Sequence, residues 1–184
     1  MADLTTLEMV QTFLGDDDAG EAPLLSSLIT SESARFEGLA GGGPIVNVTV
    51  TGEEFNGLGN AVYFPLKAPL VSVSALSVDG VAVVARPSVT ESGYVLDGNA
   101  VRLIGSTFTK GYRNCSISYV AGYGATAPAD VQQAVAEMVV SKYKAKDRAN
   151  LAGAAMAGES VTYVTDMMSE AVRTVLDRYR QVRF

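Results

Sequence analysis

The 184 residues contain no histidine, so the side chain that most often moves protons near neutral pH is missing. His-based triads and His metal ligands go with it. What remains for chemistry is carboxylates, hydroxyls and one thiol. Glu53 and Glu54 are adjacent, whereas glycoside hydrolysis needs two acids held apart across a cleft, so the pair reads as solvated on a surface loop. Asp16, Asp17 and Asp18 are also adjacent. A calcium loop needs alternating ligands and a distant Glu, so this run reads as a turn that favours the positive end of the next helix. Ser26, Ser27, Ser31 and Ser33 fall in a helical stretch with no His and no S-x-x-K partner, which argues against a serine nucleophile. Cys115 is the only cysteine, excludes an intrachain disulfide and reads as a buried structural thiol. Gly41, Gly42 and Gly43 follow no strand pattern, precede no helix and lack the Gly-Lys-Ser/Thr of a phosphate loop. No catalytic group, metal site or cofactor is expected.

The residues that suit recognition are basic and late in the chain. Lys142, Lys144, Lys146 and Arg148 gather at the end of a helical stretch, where the helix dipole favours them. No aromatic interleaving makes them a nucleic-acid groove; they read as a solvated helix end or, at Lys142, Lys146 and Arg148, as a secondary partner-binding patch for an acidic protein. The tail Arg178-Tyr179-Arg180-Gln181-Val182-Arg183-Phe184 alternates bases with other residues and ends in an aromatic. Arg and aromatic side chains carry much of the energy of protein interfaces, and an extended arm can add to a partner's sheet or fill its groove. Arg178, Tyr179, Arg180, Val182, Arg183 and Phe184 are therefore the principal candidate contacts.

These residues need elements to hold them. Helices are expected over about residues 5–14, with Thr5 and Glu8 as a capping box, and over about 20–39, with Leu24, Leu25, Leu28, Ile29 and Phe36 inward and Ser26, Ser27, Ser31, Glu32 and Arg35 outward. The Gly-Gly-Gly-Pro run ends the second helix as a hinge. Period-two patterns predict strands over 45–51, 61–65, 71–78, 81–84, 94–96, 101–104 and 115–120, with Asp79-Gly80 and Asp97-Gly98-Asn99 as hairpin turns and 52–59 as a loop. A third helix follows over about 128–147. Residues 150–158 read as a soft Ala/Gly loop, mobile in the free chain. A last helix spans about 166–179, with Met168, Ala171, Val172, Val175, Leu176 and Tyr179 inward. The fold class is α+β: a small helical bundle, residues 1–40 and 125–184, carrying an inserted antiparallel β domain, residues 45–124, as a sandwich or barrel-like sheet.

Composition sets the bounds. With 48% hydrophobic and 18% charged residues the chain is globular. No apolar run reaches the ~20 residues of a membrane span, and the N-terminus lacks the pattern of a signal peptide. Charge is lopsided: residues 1–60 carry ten acids against Arg35 alone, while residues 61–124 and 125–184 carry +2 and +1. That suits an assembly with two different ends.

The order of segments resembles a phage head–tail connector, the adaptor of long-tailed double-stranded DNA phages. The run from Leu4 to Leu14 is similar to that family's first helix, and Asp18, Leu24 to Ile29 and Ser33 to Glu37 to its second. Pro69 to Val73 leading to Val78-Asp79-Gly80 resembles the β insert of larger members. Tyr119 to Tyr123, then Pro128 to Val131 and Ala134, resembles the return into the long helix. The resemblance implies a structural virion protein of the neck, assembled in the host cytoplasm, with no enzyme activity. It implies a ring of about twelve subunits, with the portal protein on one side, a stopper or tail-completion protein on the other, and DNA passing through without sequence-specific binding. An acidic lumen would keep phosphates from sticking. Two other readings remain: a non-enzymatic β-sheet module of a virion binding a host surface or carbohydrate, and a small hydrolase, disfavoured by the missing histidine.

Overall fold

The computed structural model describes residues 2–15, 21–146, 153–156, 159–162 and 168–180. The chain divides into two compact units, Met1–Gly42 with Ala127–Phe184, and Gly43–Thr126. The class is α+β, as expected: four helices and antiparallel sheets among the described residues, with no closed barrel.

The helical unit begins with α1 (Leu7–Leu14) and α2 (Ala22–Leu39). The cap of α1 is Thr6, whose hydroxyl accepts from the Met9 amide at 3.2 Å; Thr5, expected in that role, is buried and points its hydroxyl at the Met9 sulfur. Gly15 closes α1 in the left-handed conformation at φ 69°, its amide donating to the Gln11 carbonyl. Pro23 sits in the first turn of α2, where its missing N–H costs nothing. The glycines after α2 form a Schellman cap: the Gly42 amide donates to the Glu37 carbonyl at 2.7 Å and the Gly41 amide to that of Gly38, with Gly41 at φ 99°. Helices α3 (Ala129–Ala145) and α4 (Glu170–Tyr179) complete the unit. Leu4, Val10, Leu25, Ile29, Phe36, Val131, Val135, Met138, Val139 and Val172 are its core. The core departs from the expected faces at three places. Glu32, expected outward, is 1% exposed; Leu24 and Ala171, expected inward, are exposed. Ser33 is buried because its hydroxyl accepts from the Leu4 amide at 3.0 Å, which ties the N-terminal segment to α2.

The β unit holds seven strands: β1 (Val48–Phe55), β2 (Val62–Tyr63), β3 (Leu70–Val78), β4 (Val81–Ala82), β5 (Gly93–Asp97), β6 (Ala100–Ile104) and β7 (Cys115–Ala121). They form a four-stranded sheet in the order β1-β7-β3-β4 and a three-stranded sheet β2-β6-β5. Residues 52–55, expected in a loop, continue β1 across a bulge between Val50 and Glu53. In β7, Cys115, Ile117, Tyr119 and Ala121 are buried while Ser116, Ser118 and Val120 are not, the alternation of a sheet with one covered face. Leu76, Val101, Leu103 and Phe108 join those residues, so both sheets share one core. Phe55 stacks on Tyr63 with centroids 3.5 Å apart, and Phe108 meets both edge-on.

Part of the expected Ala/Gly loop is regular: β8 (Gly153–Met156) pairs antiparallel with β9 (Glu159–Thr162). Residues 150–152, 157 and 158 lie outside the described residues, as do Asp16–18, Asp147 and Asp166. Among the described residues no helix is long and apolar enough to cross a membrane, and no group of three acidic or thiol side chains could hold a metal ion.

Candidate partner-binding surface

The sequence singles out two basic regions, and in the structure Lys142, Lys146 and Arg178 each hold a carboxylate of the same chain. On α3, Lys142 Nζ lies 2.6 Å from Glu32 Oε1, and Arg35 reaches the other oxygen of the same carboxylate at 3.2 Å. Glu32 is the acid expected on the outer face. Burial of a lone carboxylate is costly, and two cations from α2 and α3 offset that cost. Lys146 Nζ lies 3.0 Å from Glu21 and 4.1 Å above the Tyr143 ring; the hydrogen bond to Glu21 raises its pKa. The secondary patch thus serves to join α3 to α2 and the residue before it. Arg148 is outside the described residues.

The start of the C-terminal arm converges on Asp130, at the N-terminal turn of α3. Its Oδ2 accepts from Arg178 at 2.8 Å, and its Oδ1 accepts from the Tyr179 hydroxyl and the Val131 amide, each at 2.9 Å. The position suits an anion, because the first-turn amides of α3 add their positive end. At the other end of α4 the Ser169 hydroxyl caps the helix, accepting from the Val172 amide at 3.2 Å, and donates to Glu137 at 3.0 Å. Between these polar ties, Asp130, Ala134, Glu137, Val172 and Val175 line a shallow groove between α3 and α4. Arg180 is exposed, and its amide donates to the Asp177 carbonyl; Val182, Arg183 and Phe184 lie outside the described residues.

The β unit has polar clusters that residue types alone do not reveal. Glu53, expected to be solvated, accepts from the Tyr119 hydroxyl at 2.6 Å and the Tyr63 hydroxyl at 2.8 Å. Burial, and then the bond to Glu53, push both phenols well above their ordinary range. The bulge in β1 is what turns Glu53 toward the tyrosines, and no local pattern signals it. Asp79 accepts from Thr109 and, at 2.8 Å, from Asn114, which hold its carboxyl below the usual range. Asn114 also accepts from the Gly57 amide. A Cβ on Gly57 would run into the Thr109 carbonyl, so only glycine fits there. This cluster leaves Leu58 and Tyr112 exposed on two loops joined by the Gly111 amide donating to the Gly57 carbonyl. Cys115 is buried, and burial raises its thiol pKa.

Comparison with known proteins gives these surfaces a context. Two solved structures share the fold over almost the full length of both chains. One, described as the neck of an empty gene transfer agent particle computed with C6 symmetry, has a TM-score of 0.58 at 20% identity, covering 100% of this chain and 94% of the other. The second, described as the virion of a native gene transfer agent particle, has a TM-score of 0.54 at 21% identity, covering 96% and 89%. No curated protein sequence matches the chain. The sequence model of the head completion protein family matches residues 3–182. With both the helical frame and the β insert inside that match, the chain belongs to the head completion protein family, structural proteins of the phage head–tail neck.

Proposed function

We propose that this protein is the head–tail adaptor of a phage-like virion, that it forms a ring beneath the portal, and that it joins the portal to the stopper or tail-completion protein around the DNA channel. The observation that carries this reading is the family match over residues 3–182, which takes in both units of the fold. The likeness to a chain from a neck of C6 symmetry supports a ring. Such a ring is heterologous, so each subunit must offer two different faces. The charge distribution suits that need, with −9 on residues 1–60 and a basic C-terminal arm. The acidic part would line or border the channel, where it repels phosphates.

The arm from Arg178 to Phe184 is the portal anchor in this reading. Arginine forks can pair with portal carboxylates, and Val182 or Phe184 can fill a pocket. Native mass measurement of this chain mixed with purified portal tests the proposal. A symmetric complex is the expected result; two species that never co-migrate at any salt concentration would refute it. Deleting residues 178–184 should abolish the complex, and wild-type affinity of the truncated chain would move the anchor elsewhere. The reading as a glycan-binding module predicts instead a monomer that binds carbohydrate arrays.

A further inference from the structure

Arg178 and Tyr179 are the root of the proposed arm, and in the free chain both are occupied by one carboxylate. Asp130 takes the Arg178 guanidinium at 2.8 Å and the Tyr179 hydroxyl at 2.9 Å, while its own position is set by the Val131 amide. Elsewhere on α4, Val172 is its one fully buried residue, and the Ser169 hydroxyl before it donates to Glu137 at 3.0 Å. Arg178 is 64% exposed and Asp130 29%, so solvent and competing anions reach the pair. A contact of this kind is specific in geometry and weak in energy, which suits a contact meant to be exchanged.

We propose that Asp130 is a latch: it holds the root of the C-terminal arm against α3 in the unassembled subunit, and a carboxylate of the partner replaces it when the arm is delivered. This rests on the adaptor reading and adds its regulation. The exchange leaves the number of ion pairs unchanged, so the latch costs little in the final complex. It does reduce the fraction of free subunits whose arm is available, and apparent affinity falls by that fraction. Subunits would then be kept from engaging one another's acidic surfaces before the portal is met.

The test uses the full chain with Asp130→Asn, which keeps size and polarity but removes the charge. Hydrogen exchange of the amides in the last turn of α4 should accelerate about threefold or more in the free protein, and association with purified portal should quicken by about threefold. Unchanged exchange would overturn the latch, and so would a loosened α4 with association no faster than wild type. Should Asp130→Asn fail to fold, Tyr179→Phe removes one of the two grips and leaves the carboxylate. It should accelerate exchange in the same turn, and no acceleration would again overturn the proposal. If neither wild type nor variant binds the portal, the adaptor reading fails and exchange alone decides whether the self-contact restrains the arm.

Discussion

Glu32 is a charged side chain buried in the helical unit. It is 1% exposed and held by Lys142 and Arg35. Replacing Lys142 by Ala leaves a buried carboxylate with one half-exposed partner. Breaking a fully buried pair costs roughly 3–5 kcal/mol, but Lys142 is 41% exposed, so a loss of about 1–2 kcal/mol is expected, read as a lower denaturant midpoint. Glu32→Gln should cost less than Lys142→Ala, since it removes the charge that needs a partner. The Glu53 cluster gives a pH dependence. Tyr63 and Tyr119 titrate above their ordinary value in the folded protein, so above about pH 10 the unfolded chain loses protons that the folded one keeps. Stability should therefore hold below that pH and fall as pH rises through and beyond it. Thermal unfolding of Tyr63→Phe and Tyr119→Phe should show a shallower alkaline decline, and an identical decline would remove these phenols as its source.

At the scale of elements, one hydroxyl serves α4 twice. Ser169 both caps the helix and reaches Glu137. Ser169→Ala should cost about 1 kcal/mol and raise exchange throughout α4 while the core amides of α3 stay protected. Equal loosening of α3 would show that the two helices open together. In the β unit the loop cluster at Asp79, Thr109 and Asn114 depends on glycine at 57. Gly57→Ala forces a backbone shift and should destabilise the β unit by about 1–3 kcal/mol, measured as an earlier thermal transition.

On the scale of the whole molecule the proposed portal anchor predicts a salt dependence. Binding through Arg178, Arg180 and Arg183 should weaken with salt, because exposed charges are screened over about 8–10 Å at physiological ionic strength. Changing the three to Lys should weaken the complex less than changing them to Ala, since charge persists while the planar fork is lost. Co-migration with portal across a salt series reads both effects. Equal affinity for the Ala variant would place the anchor outside the arm.

Much of this protein was legible from local pattern alone. Alternation over 115–120 identified a strand, which the structure carries on to Ala121, and Asp79-Gly80 marked the turn between β3 and β4, because both signals lie within a few residues. Helical periodicity found Val131, Val135, Met138 and Val139 for the same reason. The order of segments resembled a phage head–tail connector, and the family match over residues 3–182 agrees with that resemblance. Tertiary structure decided what depends on residues far apart in the chain. Glu32 reads as surface because it is charged, yet Lys142, 110 residues away, lets it be buried. Glu53 reads as solvated because its neighbour is acidic, yet a bulge turns it toward two tyrosines, one of them 66 residues on. Asp130 reads as a helix-start acid, which it is, and only packing shows that it also grips the root of the arm. A charged side chain's environment is set by whichever partner the fold brings within about 3 Å, and sequence spacing does not carry that distance.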